Sequence, residues 1–123
     1  MRKEKSFFCI ACLVIIGAIL VPVFCLAQQE LIITQVQIAG ENTNYDFVEI
    51  YNPKGTAVNL GDFKLRKKSN TGTEYSLKSF AAENIIPAQG YYLWACSKDG
   101  YDIILQADTA TTQTLAVNNS IAI

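Results

Sequence analysis

The chain of 123 residues predicts an all-β domain, a β-sandwich standing behind an amino-terminal export segment. Three observations carry that reading. From Leu31 onward, apolar residues alternate with polar ones in short runs bounded by Gly, Asn, Asp and Pro, the pattern of half-buried strands joined by turns. No stretch of the same region holds a helical period of useful length, which leaves sheet packed on sheet. Half of all residues are apolar, enough for one modest core and for one domain.

The first 27 residues stand apart from that domain. Arg2, Lys3 and Lys5 make a basic start, Phe7 to Cys25 is an apolar run of 19 residues, and Cys25-Leu26-Ala27 offers small residues at both cleavage-defining positions. The expectation is a secretory signal, residues 1–27, with the mature domain at 28–123. A run of that length also suffices to cross a bilayer, so an uncleaved anchor through Phe7–Cys25 is the alternative. Pro22 would break such a helix before Ala27, which favours removal. Either version places the domain outside the cytoplasm, secreted or held at the cell surface. Phe24 stands where a lipoprotein signal carries a small residue, which argues against a lipid on Cys25. Three of the four cysteines, Cys9, Cys12 and Cys25, fall in this segment. Only Cys96 remains, so the exported domain must hold itself together without an internal disulfide. Without residues 1–27 the chain keeps seven basic and ten acidic side chains. This mild acidity draws nothing global to nucleic acid.

Leu31 to Ile38 reads as the first strand, with Thr34, Val36 and Ile38 on one face against Gln35 and Gln37. Ala39 to Asp46 is a polar loop. In Phe47 to Tyr51, FVEIY, Phe47, Glu49 and Tyr51 oppose Val48 and Ile50, and Asn52-Pro53 ends the strand because proline gives no N–H to a ladder. Gly55, Asn59 and Gly61 mark the return to Phe63 and Leu65, which alternate with Lys64 and Arg66. Ser69 to Thr73 turns into a strand at Glu74 to Leu77, and Phe80 to Asn84 makes a loop or a single helical turn. Ile86 to Gly90 leads into Tyr91 to Cys96, YYLWAC, apolar on both faces and so expected in mid-sheet, covered above and below. Ser97 to Gly100 is expected as a hairpin turn with Tyr101 to Leu105 as its returning strand. Ala107 to Gln113 reads as a polar crossing. Ser120 to Ile123 begins an alternation that has no polar ending, and the expectation is that the last strand is missing.

The runs D-F-V-E-I-Y-N-P, N-L-G-D-F-K-L and I-P-A-Q-G-Y-Y-L-W-A together resemble the lamin-tail domain, the immunoglobulin-like module of nuclear lamins that also occurs in bacterial surface and secreted proteins. The resemblance spans roughly Leu31 to Ile123, with Phe63 where the family usually carries tryptophan. It implies an immunoglobulin-like sandwich in which Asp46, Glu49, Asn52, Pro53, Leu60, Gly61, Phe63, Leu65 and Gly90 serve the fold. It also implies a binding or targeting unit, since similar domains stand alone or beside secreted nucleases, phosphoesterases and attachment modules.

The sequence contains no histidine, which removes histidine acid–base catalysis, Ser-His-Asp and Cys-His nucleophiles, and His-ligated zinc. Cys96 on an apolar strand reads as a small core residue. Asp46 and Glu49, three apart on a strand, point to opposite faces and cannot converge on a substrate. Glu49 is expected to pair across the sheet with a group such as a lysine, and Asp46 and Asn52 to tie the turns at the strand ends. Asp99, Gly100 and Asp102 lack the acidic series of a calcium loop. Asn118-Asn119-Ser120 has the form of a glycosylation sequon. No cofactor and no small-molecule substrate is expected.

One group of side chains has a functional geometry. Lys64, Arg66 and Lys68 share a strand face at steps of about 6.6 Å, and Lys67 adds charge beside them. Such a row can track a chain of anionic groups. The plainer account is a solvated edge strand whose lysines discourage sheet-to-sheet aggregation. The leading expectation is therefore a non-enzymatic interaction module whose partner is a protein, a surface polymer or extracellular DNA. The alternatives are a DNA- or polyanion-binding domain working through that row, and the amino-terminal part of a larger secreted hydrolase.

Overall fold

The computed structural model describes residues 30–123. The basic start, the Phe7–Cys25 run with Cys9, Cys12 and Cys25, and the expected cleavage point at Ala27 lie outside the described residues. Nine strands form: β1 (Ile32–Gln37), β2 (Phe47–Tyr51), β3 (Val58–Asn59), β4 (Lys64–Lys68), β5 (Glu74–Ser79), β6 (Ile85–Ile86), β7 (Tyr91–Cys96), β8 (Thr109–Thr111) and β9 (Ser120–Ala122), with one short helix, α1 (Tyr101–Leu105), between β7 and β8. They assemble as a four-stranded sheet β1-β2-β7-β8, a three-stranded sheet β5-β4-β9 and a two-stranded ladder β3-β6. The result is an immunoglobulin-like β-sandwich.

Alternation decides what lies between the sheets. Val48 and Ile50 of β2, Leu65 of β4, Leu77 of β5 and Tyr92, Trp94 and Cys96 of β7 are buried together with Leu60, Phe80, Ile86 and Leu115. Phe63, Ile121 and Ile123 pack against them from the three-stranded side. Burying a large apolar side chain contributes about 1.5–3 kcal/mol, so this one cluster supplies the main drive to fold.

The flank where β8 meets β5 is stitched by a hydroxyl relay. Trp94 Nε1 donates to Thr111 Oγ1 at 3.1 Å, and Thr111 Oγ1 donates to the Leu77 carbonyl at 2.9 Å. The opposite flank is different. There β1 edges the four-stranded sheet, and β9, which pairs with β4 alone among the described residues, edges the three-stranded one. Val36 pairs with Val48 on the inner face of β1, yet it remains 41 % exposed.

Several expectations are corrected. Tyr101–Leu105 is a helix, not a returning strand, and it follows a 3-10 turn at Lys98–Gly100. Asp99 and Gly100 both take left-handed angles, φ 57° and 71°, which throws the chain over the sheet instead of back along it. Tyr101 is then held by a stack on Tyr45, ring centroids 4.2 Å apart, and by a 2.6 Å bond from Gln37 Nε2 to its hydroxyl. The place beside β7 goes instead to β8, in parallel, within the expected polar crossing. In β1 the register shifts between Ile33 and Gln35, so Thr34 leaves the Val36 face and bonds to Glu49. Only Trp94, Ala95 and Cys96 of β7 are covered on both faces; Tyr91, at the other end, is exposed and lies against Tyr51 with centroids 4.8 Å apart.

Candidate functional site

The basic row lies on β4, which the sequence suggests as an edge. In the structure β4 is the middle strand, with β5 on one side and β9 on the other. Edge protection therefore does not account for its lysines, because both hydrogen-bonding sides of the strand are occupied. Leu65 is fully buried while Lys64, Arg66 and Lys68 are exposed on the outer face. Arg66 stands opposite Ser76 of β5 and Ala122 of β9, and Lys68 stands opposite Glu74 and Ser120. Small residues thus flank the cations on the β9 side. A shallow groove of about 300 Å³ opens there, bounded by Arg66, Lys68 and Glu74 and lined by Ser120 and Ala122.

Two features subtract from the row. Arg66 Nη2 lies 2.9 Å from Glu74 Oε2, with both side chains about half exposed; this pair reduces the free charge without locking it, since solvent screens it. Lys67 does not join the row. Alternation turns it to the other face, where its ammonium donates to the Thr114 carbonyl and sits 5.6 Å from the centroid of the Tyr75 ring. Glu74, Ser120 and Ala122 are the members of this face that sequence reasoning missed. They become visible only once the register across three strands is fixed.

The polar residues around β2 do something else. Asp46 is fully buried, its Oδ1 accepting from Ala39 N and its Oδ2 from Leu115 N, each at 2.8 Å. One carboxylate thereby joins the β1–β2 loop to the segment that crosses between sheets. Asn52, also fully buried, donates from Nδ2 to the carbonyls of Thr56 and Pro87, both at 2.9 Å, and accepts from Lys54 N at 3.0 Å across Pro53. Those contacts close the turn that ends β2. Glu49 accepts a 2.6 Å bond from Thr34 rather than pairing with a lysine, because the register shift places that hydroxyl above it.

Geometry of this kind, with the spacing of Asp46, Asn52 and the Leu60–Leu65 turn, can be set against known families. The family model of the Lamin Tail Domain matches residues 26–122. The chain belongs to the lamin tail domain family. No curated protein and no solved structure matches it.

Within this lamin tail domain, Leu60 is fully buried and starts the turn that Phe63 N closes onto the Leu60 carbonyl at 2.8 Å. Gly61 sits where a Cβ would come within 3.1 Å of the Ala82 backbone, and at Gly90 a Cβ would meet Pro87 at 3.1 Å. Close approach of backbone, rather than an unusual angle, therefore selects glycine at both. Cys96 is buried and free, one more core side chain on β7. Tyr92, nearly buried, has its phenol pushed above the ordinary 10.0, first by loss of water and then by the negative field of Asp108, while a bond with Thr109 pulls the other way.

Proposed function

We propose that this lamin tail domain is a non-enzymatic interaction module, exported and working at or outside the cell surface. The observation that carries the reading is the division of its polar groups. The two buried ones, Asp46 and Asn52, are fully engaged with backbone partners, whereas the ionic groups of β4 are presented on an open sheet face. A fold that offers partners a surface rather than a cleft with converging groups works by recognition. Protease treatment of intact cells, with the culture medium assayed in parallel, tests the export half. The domain should be found in the medium or be degraded on the intact cells; a pool that is protected until lysis would overturn the reading.

A second reading is favoured by one specific feature, the exposure of Lys64, Arg66 and Lys68 on a single face of a central strand. In this reading the face takes a polyanion, either extracellular DNA or an acidic surface polymer. Charge reversal of all three should abolish salt-sensitive retention on a heparin column. Unchanged retention would remove the reading.

A further inference from the structure

We propose that the outer face of the four-stranded sheet is a binding platform for a glycan of basic amino sugars, whose rings stack on Tyr51 and Tyr91 and whose ammonium groups meet Glu49 and Asp108. The inference rests on the interaction-module reading, to which it gives a ligand, and it uses a different sheet from the β4 row.

Register builds the platform. Ile32 of β1, Tyr51 of β2 and Tyr91 of β7 are paired in a line across three strands, so their side chains stand on one face. That face is the outer one, because Ile50 and Tyr92 beside them are buried in the core. Toward the other end of the sheet α1 packs on β7, and Ala95, which shares the outer face, is fully buried. The end that carries the row is bare among the described residues, with Tyr91 58 % exposed and Ile32 47 %. The two rings support each other at 4.8 Å, and β8 pairs with β7 only from Trp94 onward, which leaves the far side of Tyr91 without a strand. β2 has a neighbour on each side, so the platform lies within the sheet, and a strand added at β1 or β9 would leave it open.

Two carboxylates stand beside this row, each held by one oxygen. Glu49, on the same face of β2 as Tyr51, accepts from Thr34 Oγ1 at 2.6 Å through Oε1, and Asp108 accepts from Leu93 N at 2.7 Å through Oδ2. Glu49 pairs with Leu93 across β2 and β7, so the two acids bracket Leu93. Their other oxygens, Glu49 Oε2 and Asp108 Oδ1, have no partner among the described residues, and neither acid pairs there with a cation. Negative charge beside electron-rich ring faces selects a cation and repels an anionic polymer. An extended peptide would find no backbone to join, because β2 is paired on both sides and the Leu93 N–H is taken by Asp108. A pyranose offers a flat face of C–H bonds to the rings, and an amino sugar adds an ammonium at its rim for the carboxylates. One ligand therefore matches both parts of the face.

The test uses the full chain purified in mild detergent and, as probes, a glucosamine hexamer, its N-acetylated counterpart and hexalysine. The glucosamine hexamer should bind and shift the ring signals of Tyr51 and Tyr91, and the N-acetylated hexamer should bind about tenfold more weakly for want of its ammonium groups. Tyr91→Ala, at an exposed position that leaves the core intact, should weaken glucosamine binding about tenfold, and Tyr91→Phe should keep it. Glu49→Gln should weaken binding of the glucosamine hexamer about fivefold and leave that of the N-acetylated one unchanged. Heparin retention should stay as it was in all three variants, since the β4 row is untouched. Equal binding of the two hexamers, insensitivity to Tyr91→Ala, or hexalysine binding as tightly as the glucosamine hexamer overturns the proposal, the last because the face would then be reading charge alone. Failure of an exported domain to bind the glucosamine hexamer rejects the platform and leaves the interaction-module reading standing. Glucosamine binding by a domain confined to the cytoplasm upholds the platform and rejects export.

Discussion

The two ends of β2 and the outer face of β4 use polar residues in opposite ways. Asp46 and Asn52 sit at 0 % exposure, and every polar atom each presents meets a backbone group. Lys64, Arg66 and Lys68 stand in solvent, and among the described residues only Arg66 has an ionic partner. A buried polar group is costly unless satisfied, so its partners dictate its identity. An exposed cation costs the fold almost nothing and is free to be used elsewhere. Substitutions at the first set should therefore damage stability, and substitutions at the second should spare it and change only binding.

The largest loss is expected from Asn52→Asp. The new carboxylate cannot donate to the Thr56 and Pro87 carbonyls and sets a charge against them in a fully buried site. A cost of about 3–5 kcal/mol follows, enough to lower Tm by more than about 12 °C in a domain of this size. Asp46→Ala comes next. It leaves the buried Leu115 N–H without an acceptor and the partly covered Ala39 N–H nearly so, for about 2–4 kcal/mol. Urea unfolding of each variant measures both. A loss below about 1 kcal/mol at either position would show that water enters these sites and that the contrast with β4 is overdrawn.

How much of this was legible beforehand follows the range of the interactions. FVEIYNP exposes its own alternation and its own stop, so β2 and the roles at its ends can be read locally. The basic row on β4 is legible for the same reason. The strand's central position is not, because its second neighbour, β9, arrives from more than fifty residues later. Nor is β8: a parallel partner makes no hairpin, so ADTATTQ carries no turn signature. The helix at Tyr101–Leu105 was hidden in a different way. Asp99-Gly100 is a fair hairpin signal, and only the packing of Tyr101 on Tyr45 and Gln37 shows that the chain turns elsewhere. Lys67 joined the row on composition and left it on alternation.

A smaller effect separates buried from exposed by pH. Tyr92 holds its proton more tightly in the folded chain than in the unfolded one, because burial and Asp108 disfavour the phenolate. The folded state then binds more protons wherever the unfolded phenol has already titrated. The stability owed to this group is complete below pH 10 and declines as pH rises through the higher folded value. Tyr92→Phe should flatten the alkaline arm of a stability–pH curve. Curves of wild type and variant that stay parallel above pH 10 would show that the phenol is solvated in both states.

Glu74→Gln should have the least effect on stability and is the most direct probe of the β4 face. The Arg66–Glu74 pair is half exposed on both sides, and such pairs contribute about 0–1 kcal/mol once screening and side-chain entropy are counted. Tm should therefore move by no more than about 8 °C. Binding should move in the other direction. The substitution removes the one carboxylate set among the three cations and frees Arg66, so a polyanion would gain one full charge on the face. Elution from heparin should shift to higher salt, and the slope of affinity against salt should steepen by about one phosphate equivalent. The same substitution in a chain already carrying Lys64→Glu, Arg66→Glu and Lys68→Glu should restore nothing, because no cation is left on the face to release. If Glu74→Gln raised stability and left retention unchanged, the carboxylate would be a strained fold element, and β4 would belong with Asp46 and Asn52 rather than opposite them.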